Sequence, residues 1–524
     1  MSSGAALAET IPAAARATAA RLGDKVGLII GDRGWTFAEL YHDARAVASA
    51  YLARGIGRGD VVAIWAPNSR EWILAALGAH IAGAAITPLN TRLKGVEAGD
   101  ILRRSHARLL VCTERFLGFD YPAMIAGEAL PELRGVVRID GEGADGWAAF
   151  TAGGGGADDP AVDMAEAAVT PDDACDIMFT SGTTGSPKGV LHSHGNVVPL
   201  FRAWAVRVDL REDDRYLIAN PFFHTFGYKA GWVACLTRGA TMLPMAVFDV
   251  AEMARLIEAE RVSFIPGPPT IYQSLLQDLA GGKRDFSSLR VAVTGAAPVP
   301  PVLVERMRAE LGMENVVNGY GMTEFGAITM TAQGDPPDTI AQTCGFALPG
   351  VELTCVDDAG KTVGPGETGE ILVRGRGRML GYFEDPAATT EAIDADGWLH
   401  TGDVGALDAA GYLRITDRKK DMYISGGFNC YPAEIEKLMA AHPAIEVAAV
   451  VGVPEVRLGE VGHAFVVLRP GAAADAAAII GWCRQTMANY KVPRGIDFVA
   501  DLPRNAGGKV LRTVLRDPAY RGGA

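Results

Sequence analysis

A segment rich in glycine and hydroxyl residues, residues 179–196, limits what this chain can fold into more than any other feature. It reads Phe-Thr-Ser-Gly-Thr-Thr-Gly-Ser-Pro-Lys-Gly-Val-Leu-His-Ser-His-Gly-Asn and follows Ile177 and Met178, so an apolar run leads into it. Such a run is typical of a strand. Glycines let backbone N–H groups turn toward an anion, hydroxyls donate further hydrogen bonds, and Lys188 supplies a positive charge. The segment therefore predicts a strand that ends in a polyphosphate-binding loop.

The loop does not have the spacing of a Walker A motif. That motif places glycine directly before its lysine and serine or threonine directly after it. Here Pro187 precedes Lys188 and Gly189 follows it. The sequence therefore indicates a phosphate loop of another kind, and a flexible surface loop with an incidental lysine is the alternative.

Apolar runs alternate with helix-like segments along the first half of the chain. The runs lie at 61–65, 84–89, 109–112 and 136–139, and this alternation predicts a parallel sheet with crossover helices. Residues 72–91 carry no formal charge and are numerous enough to cross a bilayer. Because Gly78, His80, Gly83 and Pro88 interrupt them, we interpret them as a buried helix followed by a strand, with a membrane span as the alternative. Residues 141–172, rich in Gly, Ala and Asp, predict a surface loop.

The remainder predicts a change of architecture toward the C-terminus. Frequent turn signals in residues 351–411 predict a β-rich region. Residues from 423 onward have a separate, smaller pattern of predicted helices and strands. The fold class is therefore α/β: a large N-terminal domain of parallel sheets with crossover helices plus a β-rich portion, then a small α+β domain. The predicted domains are residues 1–419 and 420–524.

Composition excludes several classes of function. The formal net charge of -13 argues against nucleic-acid binding. The cysteines are scattered with no C-x-x-C pair, which favours reduced thiols in a cytoplasmic protein over disulfides or a zinc site. We see no export signal at the N-terminus.

Five further stretches carry chemically useful residues. They are 318–324 (Asn-Gly-Tyr-Gly-Met-Thr-Glu), 401–403 (Thr-Gly-Asp), 417–418 (Asp-Arg), 425–427 (Ser-Gly-Gly) and 503–509 (Pro-Arg-Asn-Ala-Gly-Gly-Lys). Together with the loop, and in this order, they closely resemble the adenylate-forming superfamily, which comprises acyl-CoA synthetases, luciferases and peptide-synthetase adenylation domains. The resemblance covers essentially the whole chain.

The resemblance implies a two-step ligase that uses ATP, Mg²⁺ and coenzyme A. A carboxylate attacks the α-phosphorus of ATP, and the coenzyme A thiol then displaces AMP from the acyl adenylate. Glu324, with Thr184, would hold Mg²⁺, since hard oxygen ligands suit that ion. The residues implied in nucleotide binding are Thr180, Ser181, Gly182, Thr183, Thr184, Gly185, Lys188, Gly295, Ala296, Ala297, Gly319, Tyr320, Gly321, Met322, Thr323, Asp403, Arg418 and Lys509.

Individual roles follow from residue type within that resemblance. Tyr320 offers a flat face for adenine, and Asp403 can accept two hydrogen bonds from the ribose diol. Each residue also has an ordinary structural alternative. Tyr320 could be a half-buried tyrosine, and Asp403 could form an Asx turn. Glu324 could be a carboxylate at a helix N-terminus, and Arg418 could be a solvated charge. The small residues Ser425, Gly426 and Gly427 would line the path of coenzyme A.

Catalysis is expected from Lys509, His224 and Thr184. Lys509 would bridge the attacking carboxylate and the α-phosphate, and rotation of the small domain about Lys420 would withdraw it for the second step. His224 matches a position beside the acyl carboxylate, with a core histidine as the alternative. The expected substrate contacts are His224, Tyr228, Lys229 and Gly295; Lys229 could equally be a surface lysine.

The acyl substrate is the least determined part of the prediction. Residues 220–231 and 266–275 look most like ligases for the bicyclic indane propionate of steroid ring degradation. Tyr228 and Lys229 could then meet a ring ketone. The alternatives are a fatty or aryl acid, or an acyl-AMP ligase that delivers to a carrier protein. A possible homodimer, and no nucleic-acid partner or membrane span, complete the expectations.

The sequence disfavours two other classes of function. A non-catalytic nucleotide binder is disfavoured because Lys188 and Lys509 are both present. A Rossmann oxidoreductase has only Gly375 and Gly377 in its favour, since the third glycine, Gly381, falls one place too late.

Replacing Lys509 with alanine tests its implied role. We expect Lys509→Ala to lose acyl-adenylate formation, measured as acid-dependent pyrophosphate exchange, because the charge that bridges the reacting groups is gone. The same variant should still convert a supplied acyl adenylate and coenzyme A into thioester. Survival of both half-reactions would contradict the role given to Lys509.

Overall fold

The computed structural model describes residues 8–180, 187–282, 284–295, 299–418, 422–503, 510–518 and 520–521, and for residues 416–418, 433 and 437 it describes the backbone only. The chain divides into two compact units. The first comprises residues 1–91, 101–178 and 190–416, and the second comprises residues 92–100, 179–189 and 417–524. The predicted domain boundary at 419/420 stays a prediction.

A seven-stranded sheet contains the strand that leads into the glycine-rich loop. Its parallel pairs include Val62 with Ile86, Val62 with Leu109, and Ile86 with Asp176. The predicted parallel sheet with crossover helices is therefore confirmed. The strand order is Gly381–Tyr382, Lys188–Ser193, Ala174–Thr180, Ala85–Pro88, Val61–Trp65, Ala107–Cys112 and Val136–Arg138.

A nine-stranded sheet carries the second predicted motif. Its central strands are parallel, and only those at its two edges run antiparallel. The strand order is Phe346–Ala347, Gly326–Met330, Asn315–Met322, Val291–Gly295, Phe264–Pro266, Arg215–Ile218, Thr241–Pro244, Val26–Ile30 and Arg33–Thr36.

The later part of the chain is rich in strands, as the turn signals predict for residues 351–411. A four-stranded sheet has the order Val351–Val356, Gly369–Gly375, Leu399–Leu407 and Leu413–Arg418. In the second unit the order is Phe428–Cys430, Tyr423–Ser425, Gly459–Leu468 and Ile445–Glu455, and Gly495–Phe498 pairs in parallel with Gly459–Leu468. Arg115–Phe116 and Phe119–Asp120 form a two-stranded sheet.

Helices cover the sheets, and one of them includes residues 72–81 of the uncharged segment 72–91. Helix Arg70–Ile81 is buried from Trp72 to Ile81 and the strand Ala85–Pro88 follows it, so the interpretation as a buried helix and a strand is confirmed. Among the described residues, no helix has the length and apolar character needed to cross a membrane. The helices are Ile11–Leu22, Phe37–Ala53, Arg70–Ile81, Gly95–Arg104, Tyr121–Ile125, Trp147–Ala152, Pro160–Ala168, His194–Arg207, Thr225–Gly227, the π-helical Tyr228–Val233, Ala234–Arg238, Val250–Ala259, Pro269–Gly281, Pro301–Leu311, Pro337–Gln342, Pro386–Ala392, Pro432–Met439, Ala476–Thr486 and Arg512–Arg516.

The prediction of a surface loop over residues 141–172 is wrong, because two helices lie within it. Asp159 caps the helix Pro160–Ala168 by accepting a hydrogen bond from the Ala161 N–H at 2.9 Å. In that helix the buried Glu166 accepts hydrogen bonds from the Tyr41 hydroxyl and from Arg45. Partners more than a hundred residues away therefore stabilise a segment whose composition alone favours a loop.

Two glycines with the same left-handed backbone provide a matched test of packing. Gly345 has φ +78°, and a Cβ there would lie 1.9 Å from the Met330 carbonyl carbon. Gly360 has φ +76° and nothing within 4 Å of such a Cβ. Replacing Gly360 with alanine should cost about 1–2 kcal/mol, since only the backbone is strained.

Replacing Gly345 with alanine should cost about 1–3 kcal/mol more, because its Cβ also displaces a neighbouring strand. Urea denaturation of both variants measures the difference as a shift in midpoint. Equal midpoints would contradict this account of the Gly345 contact.

Candidate active site

Two glycines on adjacent parallel strands bring backbone close to backbone at one end of the nine-stranded sheet. Gly295 ends its strand directly opposite Gly319. A Cβ on Gly295 would lie 2.8 Å from the Gly319 carbonyl oxygen, and one on Gly319 would lie 2.1 Å from the Met330 Sδ. These positions leave no room for a side chain, so any flat group that docks here meets bare backbone.

Tyr320 follows on the same strand and is tied to the predicted ribose-binding carboxylate. Its hydroxyl donates a hydrogen bond to Asp403 Oδ2 at 2.6 Å, and both residues are half-buried. Thr401 accepts a hydrogen bond from the Asp403 N–H at 3.1 Å and donates to the Ile371 carbonyl at 2.7 Å. The aromatic ring and the carboxylate, 83 residues apart in sequence, are therefore held side by side.

Glu324 lies just beyond this strand and has a partner that the motif did not reveal. The Tyr382 hydroxyl donates a hydrogen bond to Glu324 Oε1 at 3.0 Å, and the Met379 N–H donates to the Glu324 carbonyl at 2.8 Å. The side chain is half-buried, so a hard carboxylate oxygen is oriented at the edge of the site. Gly321 and Met322 belong to the strand that precedes it, and Thr323 is half-buried beside it.

His224 begins the short helix Thr225–Gly227. Its Nδ1 accepts a hydrogen bond from the Phe226 N–H at 3.2 Å. The side chain is exposed to solvent, so the alternative of a core histidine is wrong. The protein atoms around the ring still lower the pKa of His224 by desolvation, which favours the neutral imidazole at neutral pH.

Tyr228 and Lys229 follow in the π-helical segment, and both are buried. Lys229 is 1% exposed, so the alternative of a surface lysine is wrong. Its ammonium lies 3.0 Å from Asp176 Oδ1 and 2.9 Å from His192 Nδ1. The Tyr228 hydroxyl lies 3.1 Å from His80 Nε2.

Asp176, His192 and Lys229, here called the buried triad, have strongly coupled charges. Burial alone would raise the pKa of Asp176, but the Lys229 charge and the neighbouring His192 overcome it and hold that pKa well below its usual range. Burial and the Lys229 charge lower the pKa of His192, against the opposing effect of Asp176. At neutral pH the triad therefore contains an ionised carboxylate and a neutral imidazole.

The second unit contains the described part of the phosphate loop and the predicted coenzyme A residues. The Thr180 hydroxyl reaches the Lys188 carbonyl oxygen at 3.5 Å. Ser425 is buried at the end of its strand, and Gly426 and Gly427 turn with φ of +57° and +85°. The Gly426 N–H donates a hydrogen bond to the Leu458 carbonyl at 2.9 Å.

Several predicted site residues lie outside the described residues, and Arg418 is described only as backbone in the strand Leu413–Arg418. Those outside are Ser181, Gly182, Thr183, Thr184, Gly185, Ala296, Ala297, Lys420 and Lys509.

Sequence reasoning missed Tyr382, Asp176 and His192. Asp176 did give a signal, because a carboxylate inside the apolar run Cys-Asp-Ile-Met-Phe is unusual unless it is paired. The spacing of Tyr382 gives no such signal. Its role depends on the pairing of its strand with Lys188–Ser193.

Known proteins resemble this chain along nearly its full length. The AMP-binding enzyme family matches residues 15–383, and the AMP-binding enzyme C-terminal domain matches residues 434–509. A CoA ligase for a (7a-methyl-1,5-dioxo-octahydro-1H-inden-4-yl)propanoyl group from Mycobacterium tuberculosis is 51% identical over 510 residues, which cover 97% of this chain and 98% of the ligase. A ligase of the same name from Rhodococcus jostii is 46% identical over 516 residues, with 97% and 98% covered.

A solved structure of Bacillus subtilis o-succinylbenzoate CoA synthetase with a product analogue has the same fold. It superposes with a TM-score of 0.82 at 30% identity, covering 96% of this chain and 98% of that one.

The bond between Tyr320 and Asp403 can be removed without changing the aromatic face. We expect Tyr320→Phe to weaken AMP binding about 3–10-fold in isothermal titration calorimetry, because Asp403 loses a hydrogen bond that orients it. Tyr412→Phe is the matched control, since the Tyr412 hydroxyl also bonds to a carboxylate, that of Asp335, at 3.1 Å. An equal loss in both variants, or none in either, would contradict the nucleotide role of the Tyr320–Asp403 pair.

Proposed function

The chain belongs to the AMP-binding enzyme family, and from this premise we propose that it ligates a bicyclic keto propionate to coenzyme A. It is an AMP-forming acyl-CoA synthetase that uses ATP and coenzyme A. The observation that carries the proposed substrate is the 51% identity, over 97% of this chain, to the mycobacterial ligase for a dioxo-indenyl propanoyl group.

Charge repulsion between a carboxylate and ATP is the first obstacle to the reaction. We assign the leaving pyrophosphate to Thr180, Ser181, Gly182, Thr183, Thr184, Gly185 and Lys188, whose hydroxyls, backbone N–H groups and ammonium suit phosphate oxygens. Glu324 and Thr184 would hold Mg²⁺, which would neutralise phosphate charge when bound. The hydrogen bond from Tyr382 supports this assignment, because it orients the Glu324 carboxylate.

The nucleoside would lie across the two close strands of the nine-stranded sheet. Bare backbone at Gly295 and Gly319, with Ala296 and Ala297 beyond, would admit the adenine against Tyr320. Asp403 would accept hydrogen bonds from the ribose hydroxyls, and Arg418 would assist at the ribose or the phosphate. Gly321, Met322 and Thr323 would also contact the nucleotide.

The acid would meet neutral His224 and the ammonium of Lys509. An exposed imidazole with a lowered pKa can donate a hydrogen bond to a carboxylate from Nε2, since its Nδ1 already accepts one from the backbone. Lys509 would supply the positive charge between the attacking oxygen and the α-phosphate.

The second step would need a rearranged site. We propose that residues 420–524 rotate as a body relative to residues 1–419 about Lys420, which would withdraw Lys509 and bring residues 425–427 to the pantetheine arm. The left-handed turn at Gly426 and Gly427 suits a thin arm that passes close to backbone.

A panel of carboxylic acids tests the proposed substrate. We expect the dioxo-indenyl propanoate to exceed octanoate and benzoate in kcat/KM by at least about 10-fold, measured as coenzyme A-dependent AMP release, since both rings and the side chain would fill the site. Reactions without coenzyme A are the control. A higher kcat/KM for octanoate or benzoate would contradict the proposal.

A further inference from the structure

The buried triad has one polar atom that no partner satisfies. Asp176 and Lys229 form an ion pair at 3.0 Å, and both side chains are almost completely buried. Asp176 Oδ2 also accepts a hydrogen bond from the Cys175 thiol at 3.2 Å. On His192, by contrast, Nε2 is buried and has no hydrogen-bond partner among the described residues.

The contacts of His192 Nδ1 define two possible tautomers. Nδ1 lies 2.9 Å from Lys229 Nζ, which can only donate, and 3.0 Å from Asp176 Oδ1, which can only accept. In the tautomer in which Nδ1 accepts from Lys229, the proton of the neutral imidazole lies on Nε2. The atom without a partner is then a donor, and leaving it unpaired costs about 1–3 kcal/mol.

The triad lies on the face of the sheet that supports the candidate active site. Val190 pairs with Tyr382 in adjacent antiparallel strands, so the two side chains share a face, and His192, two residues on, shares it too. Tyr382 on that face donates to Glu324.

The helix that begins at His224 covers this same face. The Thr225 hydroxyl contacts Met178 Sδ at 3.5 Å, and Met178 lies two residues beyond Asp176 on its strand, so both project to one side. Lys229 then reaches Asp176 from the π-helical segment that continues the helix. His224 and the triad therefore lie at opposite ends of one short helical stretch.

We propose that His192 is a specificity-determining residue whose Nε2–H donates a hydrogen bond to a ring ketone of the acyl group. Lys229 acts as a positioning residue, because its ammonium favours the tautomer in which Nδ1 accepts and Nε2 presents this proton, and the ion pair with Asp176 holds Lys229 in place. This inference rests on the proposed function, which supplies an acid with two ring ketones at a distance from its carboxylate.

Comparison of the diketone acid with its two mono-ketone analogues tests the inference. Wild-type enzyme should use one mono-ketone roughly 10–100-fold less well in kcat/KM than the diketone, because a site built around a hydrogen bond rejects the analogue that lacks it. His192→Phe keeps the ring shape and removes the donor, so the diketone should fall to the level of that mono-ketone. The other mono-ketone should fall with the diketone.

Two further variants separate recognition from folding. His192→Gln retains an N–H at a similar reach and should keep most of the preference for the ketone. His194→Phe is the matched control. His194 is also buried, but its Nδ1 accepts a hydrogen bond from the Ile11 N–H, and within the described part of the chain it makes no hydrogen bond to an expected substrate contact. Its replacement should therefore affect all three acids equally. If His192→Phe does not fold, the glutamine variant and the control still decide the outcome.

Failure of the inference can be told from failure of the proposed substrate. If wild-type enzyme rejects the bicyclic acids, the proposed substrate is wrong. The role of His192 is then tested by comparing kcat/KM for 3-(4-oxocyclohexyl)propanoate with kcat/KM for 3-cyclohexylpropanoate. A ketone preference in either series that persists in His192→Phe overturns the inference. No ketone preference in wild-type enzyme, or rejection of both series, overturns it as well.

Discussion

The ion pair between Asp176 and Lys229 constrains the structure around the candidate active site more than any other interaction. Two buried charges are costly unless each is paired at close range. Asp176 lies on a strand that leads into the phosphate loop, and Lys229 lies on a π-helical segment. The pair therefore connects the loop's strand to the helical segment that begins with His224, and neither can shift without exposing a charge to an apolar interior.

The helical segment that carries Lys229 is irregular. Backbone at Gly231 leaves the helical region, with φ -88° and ψ -107°, within residues 228–233. His224 stays exposed at the start of the segment while Lys229, five residues later, is buried. An acid that binds along it would meet a neutral imidazole at its carboxylate and, under our proposal, a second imidazole at its far ring.

Much of the fold could be predicted from local patterns. Apolar strands that alternate with helices predicted the parallel sheet, and residues 72–91 divided into helix and strand as their glycines and proline indicated. The prediction of a loop over residues 141–172 was wrong, because the helix that carries Glu166 is stabilised by partners distant in sequence. Composition reflects local preferences for secondary structure, but it does not show contacts with distant parts of the chain.

The candidate site likewise combines features that local motifs predict with contacts that depend on the whole fold. The positions of Gly295, Gly319 and Tyr320 follow from one motif and two strands, whereas the bond from Tyr320 to Asp403 depends on a sheet formed much later in the chain. Lys229 could have been a surface or a buried residue until Asp176 and His192 were placed beside it. Sequence therefore predicted the type of reaction, while the buried contacts suggest how the acid is recognised.

A crystal structure of the enzyme with a non-hydrolysable adenylate of the diketone acid tests the central claim most directly. The quantity to measure is the distance from His192 Nε2 to the nearer ring oxygen. We expect a hydrogen bond of about 2.8–3.2 Å, with Lys229 still on Nδ1. A ring oxygen more than about 4 Å away, with a water molecule or no acceptor on Nε2, would contradict the account.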